Sequence, residues 1–359
     1  MQSAYFFFLL LLFLFFHNNS ISSQDMTYNP SIRLLQGLLM VLVIGVFFGI
    51  RNPNLGADSV AYLKWYKAGT PDVVRSYSEK GFELFMYILH KCLYGDKAFL
   101  FIMSFLIALI DLFFYRQISS KNFNNYLLLQ LCFYYFYYFH LSMYRQAIAI
   151  GLVGISFMRY KANDKKQFLF WGVLSVLIHY TAIIFIFFPV LDKFSKKIKT
   201  KRQHLYILLI LFVFFSTHIV KKLLVKIPDF STPVHVLKSY YIYQKFGAIH
   251  LTHSHFISIL IILFFHFNFN RLRNNKFFYI YLIHSLYFVC IAIFKDCVVL
   301  YDRLYFYLQI FEPVLIFEFS SLFKEKKIAK YIIYIVCILY SLFTIFIWGP
   351  RNIIKPYYF

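Results

Sequence analysis

The chain is 359 residues long, 61% hydrophobic, 23% aromatic and only 14% charged, with a formal net charge of +22. That balance excludes an ordinary soluble domain, in which about a quarter of residues are charged, and it excludes a disordered chain, which needs low hydrophobicity. The positive excess does not point to nucleic acid: Lys and Arg gather in short stretches between apolar runs, as they do on the cytoplasmic side of membrane proteins, and residues 192–202 alone carry six of them.

In chain order, eleven apolar segments are predicted as spans: 4–16, 33–50, 98–115, 125–140, 145–160, 168–190, 205–220, 253–270, 277–294, 304–321 and 331–348. Most approach the ~20 residues that cross a bilayer as helix. Helix is expected because lipid offers no partner to an unpaired backbone group. The fold class is therefore an all-α polytopic membrane protein, with 1–359 forming one integral membrane domain. Segment 4–16 has the length of a signal-peptide core but lacks a basic leader and a small-residue cleavage site, so it reads as a first span. The five cysteines are scattered without a CxxC pair, so no disulfide framework is expected.

The first long loop, 51–97, begins Arg51-Asn-Pro-Asn-Leu-Gly56-Ala-Asp58-Ser-Val-Ala-Tyr62. Asn-Pro and Leu-Gly mark a tight turn, and an Arg and an Asp share that turn directly beside a span. The loop looks built to hold something polar. Further along, 79–94 has Phe82, Phe85, Met86, Leu89 and Leu93 at helical spacing. It predicts a short amphipathic helix at the interface, with Glu83 near its start. The second long loop is 221–252.

Arg145 opens a span that continues Gln146-Ala-Ile-Ala149-Ile-Gly151-Leu-Val-Gly154. A charged residue at mid-span costs about 2.5–3.5 kcal/mol on insertion scales. Near an end, an Arg either snorkels to water or faces a cavity as an anion clamp. Its planar fork suits phosphate oxygens and stays protonated. Ala147, Ala149, Gly151 and Gly154 allow a neighbouring helix close in.

The stretches 159–167 and 192–204 are both short and basic, yet they flank one apolar run. Either the charge rule fails at its strongest loop, or 168–190 enters and leaves on one side as a re-entrant hairpin. The polar tip His179-Tyr180-Thr181 favours the hairpin, which is tolerated where it is buried in protein or lines a cavity. It puts His179 on the outer side with both loops 51–97 and 221–252, Arg145 and Arg303, and leaves both termini outside. His179 is either a satisfied structural histidine or a base or hydrogen-bond donor. Asp302-Arg303 heads a late span and is either interfacial or a second phosphate contact. Asp111 and Glu318 read as structural charges. His250, His253 and His255 lack companion ligands for zinc.

These residues, in order, resemble the EpsG family, Wzy-like polymerases of exopolysaccharide, capsule and O-antigen. The likeness rests on Arg51…Gly56-x-Asp58-x-x-x-Tyr62, Glu79-x-Gly81-Phe82, Arg145-Gln146-x-x-Ala149 and His179-Tyr180-Thr181-Ala182. It implies a GT-C-like architecture in a bacterial inner (cytoplasmic) membrane, with the site on the outer face. It implies transfer of a growing glycan from its undecaprenyl-diphosphate carrier onto a new undecaprenyl-diphosphate-linked repeat unit. Arg145, Arg303 and Arg51 would hold the diphosphate, with Gln146 and Tyr62 beside them. Asp58 and His179, then Glu83, are the candidate bases. No metal or cofactor is called for, since the donor is already activated and Arg can carry the charge. Membrane lipids, a flippase and a chain-length regulator are the implied partners, and nucleic acid is not. The alternatives are another lipid-linked-sugar glycosyltransferase, whose first outer loop would often carry paired acids where Asp58 stands alone, an O-antigen ligase, and a transporter or flippase of the lipid-linked unit, whose folds often show repeated halves.

Overall fold

The computed structural model describes residues 29–56, 58–69, 79–216, 253–275, 277–292, 294 and 298–343. Every described element is helical. In chain order they are α1 (Pro30–Gly49), α2 (Ser59–Ala68), α3 (Lys80–Cys92), α4 (Asp96–Ile118), α5 (Phe123–Gln130), α6 (Tyr134–Leu141), α7 (Tyr144–Lys161), α8 (Lys165–Ile178), a 3-10 helix Tyr180–Ile186, α9 (Phe187–Ser195), α10 (Lys201–Ser216), α11 (His253–Phe267), α12 (Phe269–Leu272), α13 (Phe278–Ala292), α14 (Val298–Gln309), α15 (Glu312–Glu318), a 3-10 turn Phe319–Leu322, and α16 (Lys326–Phe343). The expected span 4–16 and the whole of the loop 221–252 lie outside the described residues.

By length and composition α1 and α4 can each cross a membrane, and His255–Phe267 and Phe278–Ala292 are shorter apolar helices. Three segments expected as single spans are each broken into two helices, 253–270 only at its end, between α11 and α12. Within 125–140 the chain breaks at Leu131–Phe133, between α5 and α6, where the Tyr137 hydroxyl donates to the Leu131 carbonyl. Within 304–321 the break after Gln309 follows from Pro313, which has no N–H for the carbonyl four residues earlier. Elsewhere the ends move by a few residues.

The chain forms two compact units, Met1–Phe185 with Lys327–Phe359, and Ile186–Lys326. In the first, α4 packs between α1 and α7, and α8 lies along α7. Asn29 caps α1, accepting from the Ser31 and Ile32 amides ahead of Pro30, and Asp164 caps α8 through the Gln167 amide. The small residues of α7 serve as expected: a Cβ on Gly151 would lie 2.4 Å from Ile110, and one on Gly154 2.7 Å from the Phe114 ring. Buried Asp111 of α4 accepts from Gln130 at 2.8 Å. The C-terminal α16 returns to this unit, where the Tyr334 hydroxyl donates to Asn125 at 2.8 Å.

In the second unit α13 is surrounded by α9, α10, α11 and α14. Phe265 stacks on Tyr281 at 5.0 Å, and Phe188 on Tyr287 at 5.5 Å. Ser258, Tyr305 and Glu312 join in a buried hydrogen-bonded group.

The segment 168–190 reverses direction at its predicted tip. Helix α8 ends at Ile178, His179 is extended (φ −155°, ψ 122°), and the 3-10 helix follows. Phe185 comes back to within 5.3 Å of Phe168, ring to ring, and covers Gly172, whose missing side chain leaves the space. The 3-10 helix thus runs back along α8, toward the end from which that helix begins.

Candidate functional site

The loop after α1 folds around Arg51. Asn52 closes an Asx turn onto the Asn54 amide at 3.0 Å, and Gly56 turns the chain at φ +102°. This brings Ser59, at the start of α2, against the Leu141 carbonyl, to which its hydroxyl donates at 2.5 Å. Arg51 is only 9% exposed. Its Nη2 donates to Ser59 at 2.7 Å, to the Leu141 carbonyl at 3.3 Å and to the Tyr144 hydroxyl. Nε and Nη1 of this buried cation meet no hydrogen-bond acceptor among the described residues. Such donors are costly to bury unmatched.

One residue beyond Tyr144 stands Arg145. Its Nε donates to the Tyr62 hydroxyl at 3.2 Å and its Nη1 to the Glu79 carboxylate. The guanidinium carbon lies 5.8 Å from the Tyr62 ring, 5.6 Å from Trp65 and 5.8 Å from Phe82. Three aromatic faces thus hold the cation without neutralising it. Tyr62 and Tyr144 pack together at 5.0 Å, so the two arginines grip adjoining tyrosines. Arg145 keeps 29% of its side chain exposed, which leaves it open to a ligand.

Glu79, which the sequence places in a motif piece without a role, joins Arg145 to His179. It occupies the N-cap position of α3, yet its side chain makes no capping bond. Oε2 goes to Arg145, and Oε1 meets Nδ1 of His179 at 2.7 Å. A carboxylate only accepts, so Nδ1 carries the hydrogen, and Nε2 is the ring atom able to take a further proton. Burial alone would push the Glu79 carboxyl up. The hydrogen bond from His179 and the charge of Arg145 outweigh it and bring it down from 4.5 to about 2. Because the folded value is lowered, the stabilisation is complete above 4.5 and fades only as pH falls toward about 2. Gly81 makes this meeting feasible: a Cβ there would sit 2.7 Å from both Cβ and the carbonyl oxygen of Leu177. Its absence lets the start of α3 press on the end of α8, beside His179.

The remaining predicted residues take varied places. Tyr62 and Gln146 are buried in the same neighbourhood. Asp58 is exposed at the N-cap position of α2 and acts electrostatically on Tyr62. Glu83 is buried one turn into α3 and pairs with Lys80 at 3.1 Å. The amphipathic face of α3 is as expected, with Phe82, Met86 and Leu89 buried. Arg303 lies on α14 of the second unit, partly exposed beside Asp302. His255 stacks on Tyr305 at 4.3 Å, and among the described residues no group of three or more His, Cys, Asp or Glu is placed to hold a metal.

The fold and this site define a helical membrane protein that presents arginine, carboxylate and histidine together. The family model described as "EpsG family" matches residues 34–359, nearly the whole chain. The chain belongs to the EpsG family, a Wzy-like polymerase family. No curated protein and no solved structure matches it.

Proposed function

We propose that the protein joins glycan repeat units at the outer face of the cytoplasmic membrane, using undecaprenyl diphosphate as the leaving group. The observation that carries this reading is the Arg145–Glu79–His179 constellation: a partly exposed cation for a phosphate and a carboxylate-oriented imidazole for a proton, joined by one side chain. Arg145 binds the donor diphosphate, with Arg51 as the second cation and Tyr62 and Gln146 positioning them. Stabilisation by Arg grows as the glycosidic C–O bond breaks and negative charge develops on the diphosphate. His179 takes the proton of the acceptor sugar hydroxyl at Nε2 as its oxygen bonds to the anomeric carbon. The bonding pair leaves with undecaprenyl diphosphate, and the proton passes from the imidazolium to solvent. Asp58, exposed one turn before Tyr62, accepts a hydrogen bond from the acceptor sugar. The arginines supply the charge that a divalent cation supplies in other glycosyl transfers.

Deleting the gene in its source cell should collapse the surface glycan ladder and leave single lipid-linked repeats on the outer face, read by gel electrophoresis and lipid extraction. Repeats held on the cytoplasmic face would instead make the protein a flippase, and an unchanged ladder would remove it from glycan assembly.

The hairpin has its own test. A cysteine at 179, in a chain stripped of its other cysteines, should react with a membrane-impermeant maleimide added to intact cells. Reaction only after permeabilisation would turn the tip inward and overturn the outer-face site.

A further inference from the structure

Glu79 binds two groups that the proposed reaction uses at different moments. Its Oε2 occupies Nη1 of Arg145, while Oε1 holds Nδ1 of His179 at 2.7 Å. It is 4% exposed, so water does little to screen either contact. The pair Nη1 and Nη2 forms the end of the guanidinium fork, the edge that grips two phosphate oxygens at once. With Glu79 on Nη1, half of that edge is taken. A diphosphate brings more charge and more acceptors than one carboxylate, so the two anions compete for the same donor.

We infer that Glu79 is a displaceable occupant of the diphosphate site, and that its release from Arg145 switches on His179. This rests on the reading that Arg145 binds the diphosphate and His179 is the base. While Arg145 and His179 share the carboxylate, its charge is partly neutralised. When the diphosphate takes the fork, Glu79 retains His179 alone, and its full negative charge then favours the imidazolium that forms as the acceptor hydroxyl loses its proton. Donor binding thus prepares the base, and the base stays weak while the site is empty. The contacts span 66 and 100 residues of sequence, so one side chain couples the loop before α3, the start of α7 and the hairpin tip. Glu79 touches neither reacting carbon nor hydroxyl here. It is a positioning residue that also competes with substrate.

The two effects have opposite signs, which makes the inference testable. The full chain, purified into nanodiscs of phosphatidylethanolamine and phosphatidylglycerol, would be titrated with undecaprenyl diphosphate. Wild type should bind it, and Arg145→Ala should not. Glu79→Gln should bind it about three- to tenfold more tightly, because a competing anion is gone and the local charge is more positive. The same variant should lose turnover by about a hundredfold or more, because the imidazolium is no longer stabilised. Equal or weaker binding by Glu79→Gln would overturn the inference and leave Glu79 a structural tie. Failure of wild type to bind, or binding that survives Arg145→Ala, would instead overturn the diphosphate reading on which it rests. A second measurement avoids dependence on the Glu79 variant folding. In wild-type protein with 15N-labelled histidine, the ring signals of His179, assigned by their loss in His179→Asn, should shift when undecaprenyl diphosphate is added. Signals that stay in place at saturation would show that the carboxylate does not move between partners.

Discussion

Arg145→Ala should abolish polymer while the protein still accumulates in the membrane. The loss removes a partly exposed cation and strips Glu79 of one of its two partners. Deleting a single donor to developing negative charge costs about a hundred- to a thousandfold in turnover, and in the proposed reaction that donor also binds the lipid diphosphate. Stability should suffer less than activity, because Glu79 keeps His179 and Arg145 is not fully buried. Arg145→Lys should restore only part of the ladder. A lysine can reach Glu79, but it presents a point charge without the fork and stacks less well on Tyr62, Trp65 and Phe82. Glycan gels with immunoblots of membrane fractions separate these outcomes. Normal chain lengths in Arg145→Ala would take this residue out of the reaction.

Gly56→Ala should have the largest effect on assembly. Gly56 sits at φ +102°, and a Cβ there would fall 2.0 Å from the Leu141 carbonyl oxygen, a backbone atom that cannot rotate away. That carbonyl accepts from both Ser59 and Arg51. The turn must shift, and the buried Arg51 then loses acceptors in a place where an unmatched charge costs about 3 kcal/mol or more. Gly95→Ala provides the comparison. Its φ is +93° and ψ 157°, but nothing lies within 4 Å of the added atom, so only backbone strain is felt, about 1–3 kcal/mol. The thermal midpoint in detergent should fall much further for Gly56→Ala than for Gly95→Ala. Similar values would mean that strain alone, and not the meeting with Leu141, explains the glycine.

How much of this was readable beforehand differs from element to element. The reversal at His179 had a sequence signature, because a polar His-Tyr-Thr interrupts an apolar run between two basic stretches. The face of α3 followed from helical spacing. Arg145 stood out because charge is costly beside lipid. Glu79 did not, although it lies in one of the four motif pieces. Glu83 falls on the helix proper, while Glu79 has the position of an ordinary helix-start residue. One signal was available: the N-cap position favours Ser, Thr, Asp and Asn over Glu, so a Glu there invites the question of what else it binds. The clamp of Arg51 by Ser59, Leu141 and Tyr144 had no local signature, because its last two partners lie 90 and 93 residues away. The break at Pro313 was readable from the missing N–H, and the break before α6 was not, since it depends on where the Tyr137 hydroxyl finds a carbonyl.

The central claim is that Arg145, Glu79 and His179 together transfer glycan from a lipid diphosphate. The most direct measurement uses purified protein in liposomes, supplied only with undecaprenyl-diphosphate-linked repeat units from its own cell. Wild type should build a ladder of longer chains and release one undecaprenyl diphosphate per new linkage, and Arg145→Ala should do neither. Lipid-linked repeats that cross the bilayer unchanged, or that remain single with active protein present, would contradict the account.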